Sequence, residues 1–345
     1  MGASQTLGTS MNEPRQIPNP NDQIPRVWVL AFGIWVLIGL AAVPSFASER
    51  YVVIVSGASG GEKYAEQQKQ WRNELTVFLT SNFLVPDANV AILDEESTGT
   101  SQATAQNVRR LLGDLRRRLT RDDTLMLVLL GHGTFDGADA KFNLVGPDLN
   151  APQWKEAIDG IAGRLVVINT TESSYPFLEE LSRAGRVIIT ATDSAQQRFA
   201  TVFPEYFIRS LADLSSDLDK NGRISLWESF ASASAGVKEH YEQRGQLSTE
   251  RPLLDDNGDR VGREADAPGE DGVMARAMYF DADPASATIT NPAMADLERA
   301  RRLLEGRLEE LKSRKALLSD EQYQAELEAI LVELAKVAQQ IRKIS

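Results

Sequence analysis

The sequence predicts an α/β fold with a mainly parallel central sheet. Short runs of β-branched and aliphatic residues alternate along the chain with longer segments in which apolar residues recur at helical spacing. The short runs are apolar at nearly every position, which is typical of strands that helices cover on both faces. The composition agrees, because 42% of the 345 residues are hydrophobic and 25% are charged, as in a globular protein with a buried core.

The order of the elements follows from these runs. The predicted strands cover residues 50–57, 89–95, 124–133, 164–170 and 186–192. The predicted helices between them cover residues 62–82, 103–119 and 176–182. Ligands of such sheets bind where the strands end, so the candidate sites are the loops after Gly57, Leu130, Asn169 and Thr190.

An apolar segment precedes the α/β region. Residues 27–43 carry no charge, and the small residues Ser45 and Ala47 fit cleavage by signal peptidase after Ala47. The segment is slightly shorter than the roughly 20 residues of a membrane span, and an uncleaved anchor stays open as the alternative. We assign residues 1–47 to a signal peptide or membrane anchor. The rest of the chain is therefore expected outside the cytoplasm, as a periplasmic or extracellular protein.

The charge and the cysteine content exclude several functions. The chain has 37 Lys and Arg against 49 Asp and Glu, and a net charge of −12 disfavours nucleic acid as a partner. It contains no cysteine, which excludes disulfides, thiolate metal sites and a cysteine nucleophile. His132 and His240 are the two histidines of the sequence, so a multi-histidine metal site is also excluded.

Two consecutive strands are followed by residues that suggest catalytic chemistry. Gly131-His132-Gly133 follows the most hydrophobic predicted strand, where an imidazole suits acid–base work near neutral pH and the Gly133 N–H suits an oxyanion site. A histidine that only shapes the loop is the alternative. The next predicted strand leads into Asn-Thr-Thr-Glu-Ser-Ser, residues 169–174.

A histidine in G-H-G after one strand and a nucleophile loop after the next resembles the caspase–legumain group of cysteine peptidases (clan CD). The later blocks RVIITAT, an acidic EF-hand-like loop and TERPLLDDNGD resemble exported bacterial proteins related to peptidase C13. The resemblance covers about residues 50–280. It implies a three-layer caspase–hemoglobinase-like domain over residues 48–282, with a mainly parallel sheet and an EF-hand-like helix–loop–helix.

The chain departs from this family at the nucleophile. The family's cysteine corresponds to Thr171 or Glu172, depending on how the two serines that follow are aligned. A hydroxyl needs a strong, oriented base to attack, and a glutamate at this position would repel an oxyanion. We therefore expect an inactive pseudo-peptidase, with an active hydrolase that uses His132 and a Ser/Thr nucleophile as the alternative. The remnant site would consist of His132, Gly133, Thr171, Glu172 and Ser173.

A glycine-rich loop gives a weaker signal. Residues 56–63, Ser-Gly-Ala-Ser-Gly-Gly-Glu-Lys, lie between a predicted strand and a predicted helix. Their spacing fits neither the dinucleotide-binding nor the Walker pattern, and Glu62 brings a negative charge to the helix start. A strand–helix turn is the favoured interpretation, and a nucleotide site is the alternative.

The strongest motif is a calcium loop at residues 217–228, which matches the EF-hand pattern D-x-[DN]-x-[DN]-G-x5-E. Amphipathic segments flank it on both sides. The pattern has the ligand oxygens that Ca²⁺ prefers, and Gly222 allows the sharp turn in the loop. The predicted ligands are Asp217, Asp219, Asn221, Arg223 through its carbonyl, Ser225 and Glu228. A second acidic stretch, residues 253–262, has Arg260 where that pattern needs glycine, so we interpret it as a turn that at most contributes to a cation site.

The C-terminal region, residues 283–345, is predicted to be a linker followed by an α-helical hairpin or coiled coil. Two leucine-rich segments follow Pro292, and Ser319 to Gln322 form a capping box at the start of the second. The apolar residues of the second segment alternate at spacings of four and three, as in a heptad seam. The pair either closes on itself or serves for self-association or partner binding. For the chain as a whole we expect a binding or scaffold module, with calcium as its cofactor and a peptide or protein partner in the remnant cleft.

Overall fold

The computed structural model describes residues 48–280, six single positions between 297 and 311, and residues 319–344. The predicted signal or anchor and the cleavage site after Ala47 lie outside these residues. Within the described part of the chain, no helix is both long enough and apolar enough to cross a bilayer.

A six-stranded sheet forms the centre of residues 48–280. Its strands are Arg50–Ser56 (β1), Val90–Leu93 (β2), Thr124–Leu130 (β3), Arg164–Asn169 (β7), Arg186–Thr190 (β8) and Leu253–Asp255 (β9). Their order across the sheet is β2-β1-β3-β7-β8-β9, and neighbouring strands are parallel except at the edge, where β9 runs antiparallel to β8. The prediction of an α/β fold with a mainly parallel sheet is confirmed.

Helices cover both faces of this sheet and complete three layers, because the central strands are apolar on both sides. The helices are Glu62–Val77 (α1), Ala105–Arg118 (α2), Ala151–Ile158 (α3), Tyr175–Leu181 (α4), Phe203–Ser210 (α5), Leu226–Gln243 (α6) and Val273–Arg276 (α7). One face of the sheet packs against α2, α3 and α4, and the other face packs against α1, α5 and α6. A π-helical turn, Phe78–Asn82, extends α1 to the end that the sequence predicts.

A second, small sheet follows the G-H-G motif. Its strands, Gly133–Phe135 (β4), Ala140–Phe142 (β5) and Leu149–Asn150 (β6), are antiparallel. The sequence prediction extended the preceding strand to residue 133, but β3 ends at Leu130 and the chain turns at Gly131, which has a φ of +143°. This turn frees His132 from the central sheet.

The C-terminal helix α8, Asp320–Ile344, begins at the capping box that the sequence predicts. Ser319 Oγ accepts a hydrogen bond from the Gln322 N–H, and Gln322 Oε1 accepts one from the Ser319 N–H. Leu311, Tyr323 and Ile330 are buried together in a small apolar cluster. Most of the preceding segment lies outside the described residues, so the hairpin or coiled coil stays a prediction.

Candidate functional site

The parallel register brings the predicted site residues to one edge of the sheet. Leu129 of β3 lies beside Asn169 of β7, so the turn after β3 and the turn after β7 are neighbours. The two turns approach so closely that a Cβ at Gly133 would lie 2.1 Å from the Glu172 carbonyl oxygen. Only glycine fits at this contact, so the close approach of the two turns explains the second glycine of G-H-G.

The Glu172 carboxylate binds both groups that the sequence analysis assigned to catalysis. Its Oε1 lies 2.8 Å from His132 Nδ1, and its Oε2 accepts a hydrogen bond of 3.0 Å from the Gly133 N–H. Glu172 is buried, with 4% of its surface exposed, whereas His132 is partly exposed. The Tyr64 ring packs edge-on against the imidazole with 4.6 Å between the ring centroids. The carboxylate therefore occupies the space between the His132 imidazole and the Gly133 N–H.

This arrangement favours a protonated imidazole. The hydrogen bond that His132 donates to Glu172 raises the pKa of His132, burial acts in the opposite direction, and the charge of Glu172 together with a hydrogen bond to the Ser59 backbone raises it further. His132 Nε2 is buried. An imidazole that is bonded to a carboxylate through Nδ1, with Nε2 buried, is a poor general base for an incoming substrate.

The hydroxyl groups of the turn bind elsewhere. Thr171 Oγ1 donates to Asn169 Oδ1 at 2.8 Å, and Ser173 Oγ donates to the Gln197 carbonyl at 2.9 Å. Ser174 Oγ lies 3.0 Å from Thr192 Oγ1. None of these bonds reaches His132, although all three residues lie in the turn that faces it.

The turn itself is held in an uncommon backbone conformation. Ser173 has a φ of +52°, a region that side chains other than glycine and asparagine seldom adopt. Its N–H and its Oγ both donate to the Gln197 carbonyl, which offsets this cost. Gln197 and Thr192 thus position the turn at residues 169–174. The loop after Thr190 is one of the candidate sites in the sequence, and Thr192 lies in the block RVIITAT, but no motif assigns a role to Thr192 or Gln197.

The predicted calcium loop brings its carboxylates together. The carboxylate oxygens of Asp217, Asp219 and Glu228 lie within 4.8 Å of one another. Burial raises the pKa of Asp219, and the charges of Glu228 and Asp217 add to this effect while a hydrogen bond from the Asn221 N–H opposes it. Gly222 has a φ of +82°, as the sharp turn requires. This is a set of oxygen ligands with concentrated negative charge, which fits Ca²⁺.

The other predicted ligands make local contacts. Asn221 Nδ2 donates to Asp219 Oδ2 and to the Tyr279 hydroxyl, and the Asn221 Oδ1 accepts a bond from the Arg223 N–H. The Arg223 guanidinium lies 3.9 Å from the centre of the Tyr279 ring. Ser225 caps α6 by accepting a bond from the Glu228 N–H. Ser225 also forms an antiparallel bridge with Tyr279, so the segment before residue 280 pairs with the loop.

Glu228 has a double role in this geometry. Its Oε1 accepts bonds from the N–H groups of Leu218 and Asp219, and its Oε2 accepts bonds from the Ser225 N–H and hydroxyl. The spacing from Ser225 to Glu228 is both the capping box of α6 and the last four positions of the EF-hand pattern. One side chain therefore joins the start of α6 to the start of the loop.

Solved structures that are similar to this chain include two distant ones. One is a protein from Geobacter sulfurreducens, 13% identical, for which the match covers 60% of this chain and 92% of that one with a TM-score of 0.38. The other is a secreted C11 cysteine protease from Bacteroides thetaiotaomicron, 11% identical, with 62% of this chain and 68% of that one covered and a TM-score of 0.36. No family model matches the sequence, and no curated protein matches it.

Proposed function

We propose that this chain is a catalytically inactive relative of the caspase–legumain peptidases (peptidase C13 type) that acts as a binding or scaffold module. The observation that carries the proposal is the position of the Glu172 carboxylate, bonded to both His132 and the Gly133 N–H. The sequence contains no cysteine that could act in its place.

The chemistry of acyl transfer explains why this carboxylate is incompatible with catalysis. A tetrahedral intermediate needs N–H donors that are free to receive its developing negative charge. Here the Gly133 N–H already binds a negative oxygen, and a second anion beside Glu172 would be repelled. The Glu172 carboxylate thus takes the place of the oxyanion and holds the cleft in one fixed arrangement.

The alternative, an active hydrolase with a Ser/Thr nucleophile, has less support. Each hydroxyl of the turn has another partner, and His132 Nδ1 is bonded to Glu172. Activation of a hydroxyl would require it to leave that partner and displace the carboxylate from the imidazole. The site lies at the carboxyl edge of the sheet, where ligands of parallel sheets bind. A peptide or protein segment is the proposed occupant.

Activity measurements test the inactive state. Purified protein is incubated with calcium and a peptide library, and the products are identified by mass spectrometry. We expect no cleavage by the wild-type protein. Cleavage that disappears in His132→Ala would overturn the proposal.

A single-cysteine variant tests whether the peptidase geometry is retained. Because the chain has no other thiol, Glu172→Cys introduces one reactive group beside His132. We expect iodoacetamide to alkylate it at least about tenfold faster at pH 6.5 than the thiol of a matched Glu172→Cys/His132→Ala variant, since a neighbouring imidazolium stabilises the thiolate. Equal rates in the two variants would argue against a retained dyad.

Calcium binding at residues 217–228 is the second part of the proposal. The convergence of Asp217, Asp219 and Glu228 supports it. Isothermal titration of protein stripped of metal should give a calcium-binding signal that is lost in Glu228→Gln. The control is Glu242→Gln, which removes the same charge from an exposed position near the other end of α6. Absence of binding by the wild-type protein would remove calcium from the proposal.

We also propose that the chain is exported and that it self-associates. Cleavage after Ala47 would release a chain that begins at Ser48, and N-terminal sequencing of the protein recovered outside the cytoplasm distinguishes this from an intact anchor. The C-terminal helices are proposed to associate two copies. The exposed side chains of Leu331 and Val332 on α8 support this, since they leave apolar surface uncovered on that helix.

A further inference from the structure

The two helices that flank the calcium loop are joined at their far ends by one buried carboxylate. Glu250 is 2% exposed and accepts bonds from the N–H groups of Val202 and Phe203, at 2.8 and 3.0 Å, where α5 begins. It also accepts a bond of 2.8 Å from the Tyr241 hydroxyl in the last turns of α6. A negative charge at a helix N-terminus is favourable, so this contact fixes the start of α5 against the end of α6.

The same junction contacts the remnant site. Thr201, one residue before the segment that Glu250 holds, donates a bond of 2.6 Å from its hydroxyl to the Thr170 carbonyl. Gln197, four residues earlier, accepts both bonds from Ser173. The segment 197–203 therefore connects the start of α5 directly to the turn that carries Glu172.

At the other end of the helix pair, the calcium loop bridges α5 and α6. Asp217 and Asp219 follow α5, whereas Glu228 belongs to the first turn of α6. Glu228 Oε1 now accepts bonds from the N–H groups of Leu218 and Asp219. A calcium ion that uses this oxygen competes with those N–H groups, so binding changes the contact between the start of α6 and the segment that follows α5.

We propose that calcium binding at residues 217–228 is coupled to the His132–Glu172 pair through α5 and α6, with Glu250 as the positioning residue that transmits the change. This inference rests on the calcium site proposed above. The packed helices α5 and α6 have the predicted metal ligands near one end. At the other end they continue into the segment 197–203, which contacts the turn that carries Glu172. Such coupling must be reciprocal, because both sites bias the same element.

The two histidines of the chain report on the two parts of this path separately. His132 lies in the remnant site, and His240 Nδ1 lies 3.0 Å from the Tyr206 hydroxyl, between α6 and α5. NMR of the tag-free full chain with labelled histidine gives two imidazole signals, which the His132→Ala spectrum assigns. We expect calcium to shift both signals with a single midpoint in the wild-type protein, and to shift neither in Glu228→Gln.

Variants along the path separate coupling from calcium binding. In Glu250→Gln and in the milder Thr201→Val, which removes one hydroxyl, calcium should still bind and shift His240, while the shift of His132 is lost or strongly reduced. If calcium binds and moves His240 but leaves His132 unchanged in the wild-type protein, the coupling is refuted and the calcium site stands. If calcium does not bind at all, the calcium site and the coupling both fail.

Reciprocity supplies an independent measurement. Glu172→Gln weakens the pair with His132, and coupling predicts that it changes the calcium Kd by about fivefold or more. The control is Glu180→Gln, a partly exposed residue that pairs with Lys155 on the other face of the sheet. An unchanged Kd in Glu172→Gln would contradict the proposal.

Discussion

Asp271 is a buried carboxyl that should make the protein less stable as the pH rises. Its side chain is 2% exposed, its Oδ1 accepts bonds from the N–H groups of Asp256 and Asn257, and its Oδ2 has no partner among the described residues. Burial raises the pKa of Asp271 to about 7, the two N–H groups oppose this, and the charges of Asp255 and Asp256 add to it. The folded state therefore holds this proton more tightly than the unfolded chain.

The sign and size of the effect follow from linkage. A carboxyl whose pKa rises from 3.8 in the unfolded chain to about 7 in the folded protein stabilises the fold fully below about pH 4 and loses that contribution as the pH approaches 7. At 1.36 kcal/mol per pKa unit, the free energy of unfolding falls by at most about 3 kcal/mol between pH 5 and pH 8 from this group. Asp271→Asn keeps the Oδ1 acceptor and removes the titration.

Urea unfolding at pH 5 and pH 8 measures this difference. We expect the wild-type protein to lose more stability than Asp271→Asn over this interval, so that the variant gains most at pH 8. Asp266→Asn, an exposed position in the same segment, is the control for the change in net charge. If the free energy of unfolding changes with pH in the same way in the wild-type protein and in Asp271→Asn, the raised pKa of Asp271 is refuted.

Three further predictions concern the site and the C-terminal helix. Gly133→Ala should destabilise the protein by about 1–3 kcal/mol in thermal unfolding, since its Cβ would collide with the Glu172 carbonyl oxygen. The raised pKa of His132 predicts a stabilising contribution that is present below about pH 6.5 and is lost as the pH rises through the folded-state pKa; His132→Gln should remove this part of the pH profile in the same urea assay. Deletion of residues 319–345 should convert any dimer seen by analytical ultracentrifugation to a monomer, and an unchanged mass distribution would exclude α8 from the interface.

The core of the fold was predictable because it depends on local patterns. Strands β1, β3, β7 and β8 are apolar on both faces, and this pattern identifies them before any contact is known. The antiparallel edge strand β9 and the small sheet β4–β6 were not predicted. These strands have two or three residues each, too few for a periodic signal, and their pairing with distant segments defines them.

Part of the candidate site was likewise predictable from the sequence, and part was not. The sequence placed His132 and the 169–174 turn at neighbouring strand ends, because consecutive parallel strands end at one edge of a sheet. It left open whether Thr171, Glu172 or a serine faces the imidazole. The tertiary structure decides this through partners that lie up to 40 residues along the chain, among them His132 for Glu172 and the Gln197 carbonyl for Ser173.

The sequence by itself determined which segments are buried, that no thiol exists, and that residues 217–228 match the EF-hand spacing, because each of these depends only on residue types and local order. Only the tertiary structure decided that the Glu172 carboxylate binds His132 and the Gly133 N–H, and that Glu250 joins α5 to α6. The physical reason is that a side chain in a turn takes its direction from the hydrogen bonds available to it, and those bonds come from distant parts of the chain.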